Sequence, residues 1–171
     1  MRRLLDALYD AAAYLAAFFM IGTLAAILLS VTGRLLDFHV RGTDAYAGYC
    51  MAAAAFLALA HTLKRGEHIR VTLLLEHVGA RAKRALEIWS HCAGVLLAGA
   101  LAWFSLRLVW QSHTFNDISQ GNDATPLWIP QLAMALGASV LLVAMLDDLV
   151  ALLRGQSIQP AQIDSEPAHI E

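Results

Sequence analysis

Four uncharged, predominantly apolar stretches run along the chain, and each is bounded by charged side chains. The first extends from Ala11 to Gly33 between Asp10 and Arg34, and the second from Ala45 to Leu63 between Asp44 and Lys64. The third extends from Ile88 to Leu106 between Glu87 and Arg107, and the fourth from Ala124 to Leu146 between Asp123 and Asp147. A helix rises about 1.5 Å per residue, so about 20 such residues cross the roughly 30 Å of bilayer hydrocarbon. The pattern therefore predicts an all-α membrane protein with spans at 11–33, 45–63, 88–106 and 124–146. Helices are expected rather than a barrel, because the backbone of each stretch must satisfy its own hydrogen bonds in lipid. The first stretch is too long and too evenly apolar for a cleaved leader and reads as an uncleaved anchor.

The composition agrees: 58% of the 171 residues are hydrophobic and 15% are charged. That length suits one domain, a four-helix membrane unit over 1–153 followed by a polar tail over 154–171 that is expected to be mobile. The net charge of -2 gives no reason to expect nucleic acid as a partner. The distribution of positive charge matters more. Arg2, Arg3, Lys64, Arg65, Arg70, Arg81, Lys83, Arg84 and Arg154 fall on one side of the predicted membrane, and Arg34, Arg41 and Arg107 on the other. Cytoplasmic loops carry the excess of Lys and Arg, so both termini and the second loop are expected inside. Tyr9, Tyr14 and Trp89 fall near the inner interface, and Tyr46, Tyr49, Trp103, Trp110 and Trp128 near the outer one. Amphipathic rings favour those depths. Cys50 and Cys92 lie at opposite depths of their spans, too far apart for a disulfide within one chain.

The loop over 64–87 is long for a turn. It mixes basic residues with Ile69, Val71, Leu73, Leu74, Leu75 and Val78, ends a short pattern at Gly79, and resumes helical spacing at Ala82, Ala85 and Leu86. This predicts an amphipathic interfacial connector on the cytoplasmic face, then an extension of the third span beyond the bilayer. Small residues recur at Ser90, Gly94, Ala98 and Ala102, at Gly22, Ala26 and Ser30, and at Ala133 and Gly137. Such stripes let helices approach closely in lipid. They fit packing within this unit or docking of a second membrane protein.

No nucleophile–base pair and no phosphate-binding loop is present in the sequence, so no enzymatic activity is expected. Asp37, Asp44, Asp117 and Asp123 fall at or beyond the outer boundary and read as solvated loop acids. His61 and His91 fall near one depth in the second and third spans, where a pair of imidazoles can ligate a b-type haem. A haem-bearing anchor of a redox complex and a small channel or assembly protein are the alternative readings.

Two motifs carry a family resemblance. Arg65-Gly66-Glu67-His68-Ile69-Arg70-Val71, directly after the second span, resembles the cytoplasmic signature of the small membrane subunit of TRAP (tripartite ATP-independent periplasmic) transporters, the DctQ-like family. Thr125-Pro126-Leu127-Trp128-Ile129-Pro130 resembles that family's second signature. Thr72 stands where the family often has an acid, and Asp44 alone stands where one or two glutamates often open the second span. The resemblance implies a chain that braces a large permease subunit in the bacterial inner membrane and helps a periplasmic binding protein dock. The large subunit would carry the sodium and substrate sites, with organic acids as cargo, and this chain no cofactor. Membrane lipid is the remaining expected partner. Arg65, Gly66, His68, Ile69, Val71, Thr125, Pro126, Trp128 and Pro130 are expected to act structurally, with Thr125 as helix N-cap and Pro126 in the first helical turn. Lys64 and Arg65 are expected at the lipid headgroups. Asp37, Arg41, Asp117 and Asp123 are candidate contacts for the periplasmic partner.

Overall fold

A computed structural model describes residues 2–38, 40–65, 79–121 and 123–154. These form four helices: α1 (Arg2–Leu35), α2 (Thr43–Lys64), α3 (Ala80–Thr114) and α4 (Trp128–Leu153). All four are long and apolar enough to cross a membrane. Among the described residues there is no strand, only one isolated bridge between Ile118 and Pro126. The connector motif from Gly66 to Val71 and the tail after Arg154 lie outside the described residues.

The helices overrun the apolar windows because charged residues at their ends are compatible with helix once the chain has left the hydrocarbon. α1 starts nine residues before Ala11, and α3 starts at Ala80, so residues 80–87 extend the third helix. The fourth helix departs from the prediction at its start. Ala124 has φ 48, and Pro126 is held in the bridge to Ile118, so helix begins only at Trp128 with Leu127 at the N-cap. Thr125 is therefore not the N-cap, and Pro126 stands outside the helix. Pro130 falls in the first helical turn, where a missing N–H costs little.

Packing follows small side chains. α1 packs on α2, α2 on α4 and α4 on α3, with a slight contact of α1 on α4. The result is an open row in the order α1, α2, α4, α3. The buried positions are mainly alanines: Ala12 and Ala16 on α1, Ala53, Ala54 and Ala60 on α2, Ala98 and Ala102 on α3, and Ala135, Ala138 and Ala144 on α4. Gly94 meets the Met145 side chain, so the third-span stripe packs within the chain. Hydroxyls fold back on their own helices: Thr23 donates to the Phe19 carbonyl, Thr62 to Ala58 and Ser139 to Ala135. Each satisfies a polar group that lipid cannot.

α1 and α3 close at their C-termini in the same way. Phe38 N–H donates to the Gly33 carbonyl with Asp37 at φ 55, and Asp117 N–H donates to Ser112 with Asn116 at φ 51. Both are six-to-one closures with a left-handed residue just past the helix, where glycine is the usual occupant.

Candidate functional site

Polar chemistry gathers at the two ends of the row. At the end where α1 and α3 terminate, the α3–α4 loop doubles back on itself: Ser119 N–H donates to Thr125 at 2.8 Å and Leu127 N–H to Asp117 at 2.9 Å. Asp123 sits inside this loop. Ser119 Oγ donates to its Oδ1 at 2.8 Å and Tyr49 Oη to its Oδ2 at 3.1 Å. Partial desolvation opposes the charge, but hydrogen bonds from Ser119, Thr125, the local backbone and Tyr49 outweigh it and hold the carboxyl down at about 2. Asp123 is thus not a free solvated acid, as the sequence had indicated; its Oδ1 closes the α3–α4 loop on itself and its Oδ2 ties that loop to α2.

The α1–α2 loop joins the same point. Gly42, at φ 82, lies so close to Asp123 that a Cβ there would stand 2.7 Å from the Asp123 Cβ. Thr125 Oγ1 donates to Tyr46 Oη at 3.2 Å, and the Tyr46 and Tyr49 rings meet edge to face. Trp128 packs edge-on against His113. Ser30 Oγ and Arg34 reach the two oxygens of Asp44. Of the four candidate contacts for the periplasmic partner, Asp37, Arg41 and Asp117 have exposed side chains, and Asp123 is tied into the loops.

At the opposite end, Lys64 Nζ donates to Asp147 and, at 2.8 Å, to Asp148 Oδ1. Only 9% of the Asp148 side chain is exposed, so the pair is largely withdrawn from solvent. Tyr9 lies beneath, its ring centroid 5.3 Å from Lys64 Nζ, and packs with Ala60 and Ala144. Lys64 is therefore not the headgroup anchor expected of it, because two carboxylates one helix away claim its charge. Arg65 is exposed. Tyr9 is buried, at 4% exposure. The signal for this cluster was the Asp147-Asp148 doublet closing the most apolar helix; its partner could not be read from spacing.

The two histidines of the spans make separate local contacts. His61 Nδ1 lies 3.9 Å from Asp10, and His91 Nδ1 lies 2.8 Å from the Glu87 carbonyl of its own helix. α2 and α3 each pack on α4 rather than forming an interface with one another. Among the described residues, no three His, Cys, Asp or Glu side chains are grouped to hold a metal. The arrangement joins helices and loops.

Comparison with known families agrees with this architecture. Residues 23–155 match the family described as Tripartite ATP-independent periplasmic transporters, DctQ component. A search of curated proteins finds no relative that matches the chain.

Proposed function

The chain belongs to the DctQ component family of tripartite ATP-independent periplasmic transporters and is a small, multi-pass membrane component of such a system; on that premise we propose that it braces a large permease subunit and helps a periplasmic binding protein dock. The observation that carries this reading is the segregation of charge to the two ends of an open helix row. Ion and proton paths are marked by ionisable groups within the spans, and here the notable clusters are end clusters that lock helices together.

The excess of Lys and Arg at the termini and second loop favours both ends inside and the Asp123 network outside, in a bacterial inner membrane. In this reading Arg41 and Asp117 face the binding protein, and Asp37 and Asp123 hold the shape of the loops that carry them. Sodium coupling and organic-acid recognition belong to the other two components.

The test is purification of the tagged chain from its native membrane in mild detergent, followed by reconstitution of what co-purifies. A large polytopic permease is expected in near-equal amount, and uptake in liposomes is expected only when this chain, that permease and the binding protein are all present. Uptake by this chain alone, or undiminished uptake without it, overturns the proposal. Charge reversal at Arg41 and Asp117 is expected to reduce uptake while leaving assembly with the permease intact.

A further inference from the structure

Beside the Asp123 network lies a cavity of about 490 Å³, walled by the end of α1, the α1–α2 loop and the first turn of α2. Leu29, Phe38 and Val40 make its apolar side. Arg34, Asp37 and Asp44 make its charged side. Arg34 reaches Asp44 through one long contact of 3.4 Å, and its side chain is 73% exposed. A guanidinium has five N–H donors in a fork that suits phosphate, and this contact engages one. Asp37 is fixed at the rim by the helix-closing turn, in a left-handed conformation that glycine usually takes. Leu35 and Leu36 beside Arg34 are strongly exposed, which places the cavity where α1 leaves the hydrocarbon.

One guanidinium with two carboxylates leaves a net negative charge, which disfavours a purely anionic ligand. It suits a zwitterion whose phosphate meets the arginine and whose cation meets the acids. Carboxylates need N–H donors for hydrogen bonds, so a primary ammonium fits better than a quaternary one. Leu29 of the cavity wall is itself 43% exposed on α1, the apolar flank that a glycerol and acyl stem requires. We propose that this cavity binds the headgroup of an ethanolamine phospholipid, with its phosphate on Arg34 and its ammonium between Asp37 and Asp44. The site would fasten the α1–α2 loop to the membrane surface.

The test uses the full chain, washed free of lipid in mild detergent and titrated by native mass spectrometry with dihexanoyl phospholipids. Phosphatidylethanolamine is expected to bind best, with phosphatidylglycerol about tenfold weaker, the factor for losing one charge-assisted hydrogen bond. Phosphatidylcholine is expected to bind more weakly than phosphatidylethanolamine. Arg34→Ala is expected to weaken phosphatidylethanolamine binding by a similar factor, and Arg34→Lys to restore part of it. Asp37→Asn is expected to narrow the preference for ethanolamine over choline, with helicity unchanged by circular dichroism. Equal binding of phosphatidylethanolamine and phosphatidylglycerol, or phosphatidylethanolamine binding unaffected by Arg34→Ala, overturns the proposal.

Discussion

Gly137 lies directly on the backbone of Phe56: a Cβ built at Gly137 would stand 2.5 Å from the Phe56 carbonyl carbon and oxygen. This contact sets the crossing of α2 and α4, the central pair of the row. Backbone cannot rotate away as a side-chain tip can. Gly137→Ala is therefore expected to lower stability by about 1–3 kcal/mol, the range for forcing extra volume into packed helices. Gly48→Ala, with nothing within 4 Å of its Cβ, is expected to be neutral or slightly stabilising. Thermal unfolding of both variants in the same detergent checks the contrast.

Lys64 answers two carboxylates, so removing it leaves both uncompensated. Lys64→Ala is expected to cost about 2–3 kcal/mol, below the range for a fully buried pair because a quarter of the lysine side chain is exposed. Asp148→Asn added to Lys64→Ala is expected to recover part of the loss. A double-mutant cycle on unfolding free energy measures the coupling, and strict additivity would show that Lys64 and Asp148 act independently.

Tyr9 Oη is buried without a hydrogen-bond partner. An unsatisfied buried hydroxyl is costly, so Tyr9→Phe is expected to be neutral or to stabilise by about 1 kcal/mol. Tyr9→Ala removes the ring that joins α1 to α2 and α4 and is expected to cost about 3 kcal/mol. A destabilised Tyr9→Phe variant would show that the hydroxyl has a partner in the membrane.

The outer loop has a predictable acid limit. The Asp123 carboxyl is lowered to about 2 in the folded chain from an ordinary 3.8. Its contribution is therefore present above the ordinary value and is lost as pH falls through the folded one. Hydrogen exchange over residues 117–127 is expected to be flat from neutral pH down to about 4, after correction for intrinsic rates, and to rise below that. Asp123→Asn is expected to remove the acid-dependent step.

The spans were legible because lipid imposes one rule on every residue of a crossing segment, and the windows at 11–33 and 88–106 sit wholly within α1 and α3. Their ends were not, since Arg2 to Asp10 and Ala80 to Glu87 are as compatible with helix as with loop. The start of α4 was misplaced because Ala124 and Thr125 carry no signal of the left-handed backbone and strand-like bridge that hold them. The small-residue stripes showed which faces approach a neighbour but not which neighbour. Lys64 and Asp147 are separated by 83 positions, and nothing local in either segment announces their pairing. The outer network was hidden for the same reason: Tyr49 and Asp123 meet only because two loops and α2 converge on Gly42.

The open row of helices has a geometric consequence. Four helices that close a ring enclose a lumen; among the described residues the four stand side by side without closing one. Its outermost helices, α1 and α3, each keep a free flank running the depth of the bilayer, with Phe18 and Ile21 on one and Leu97 and Phe104 on the other. The described helices are set like a fence panel, and its two halves, α1 with α2 and α4 with α3, meet at the Gly137–Phe56 crossing.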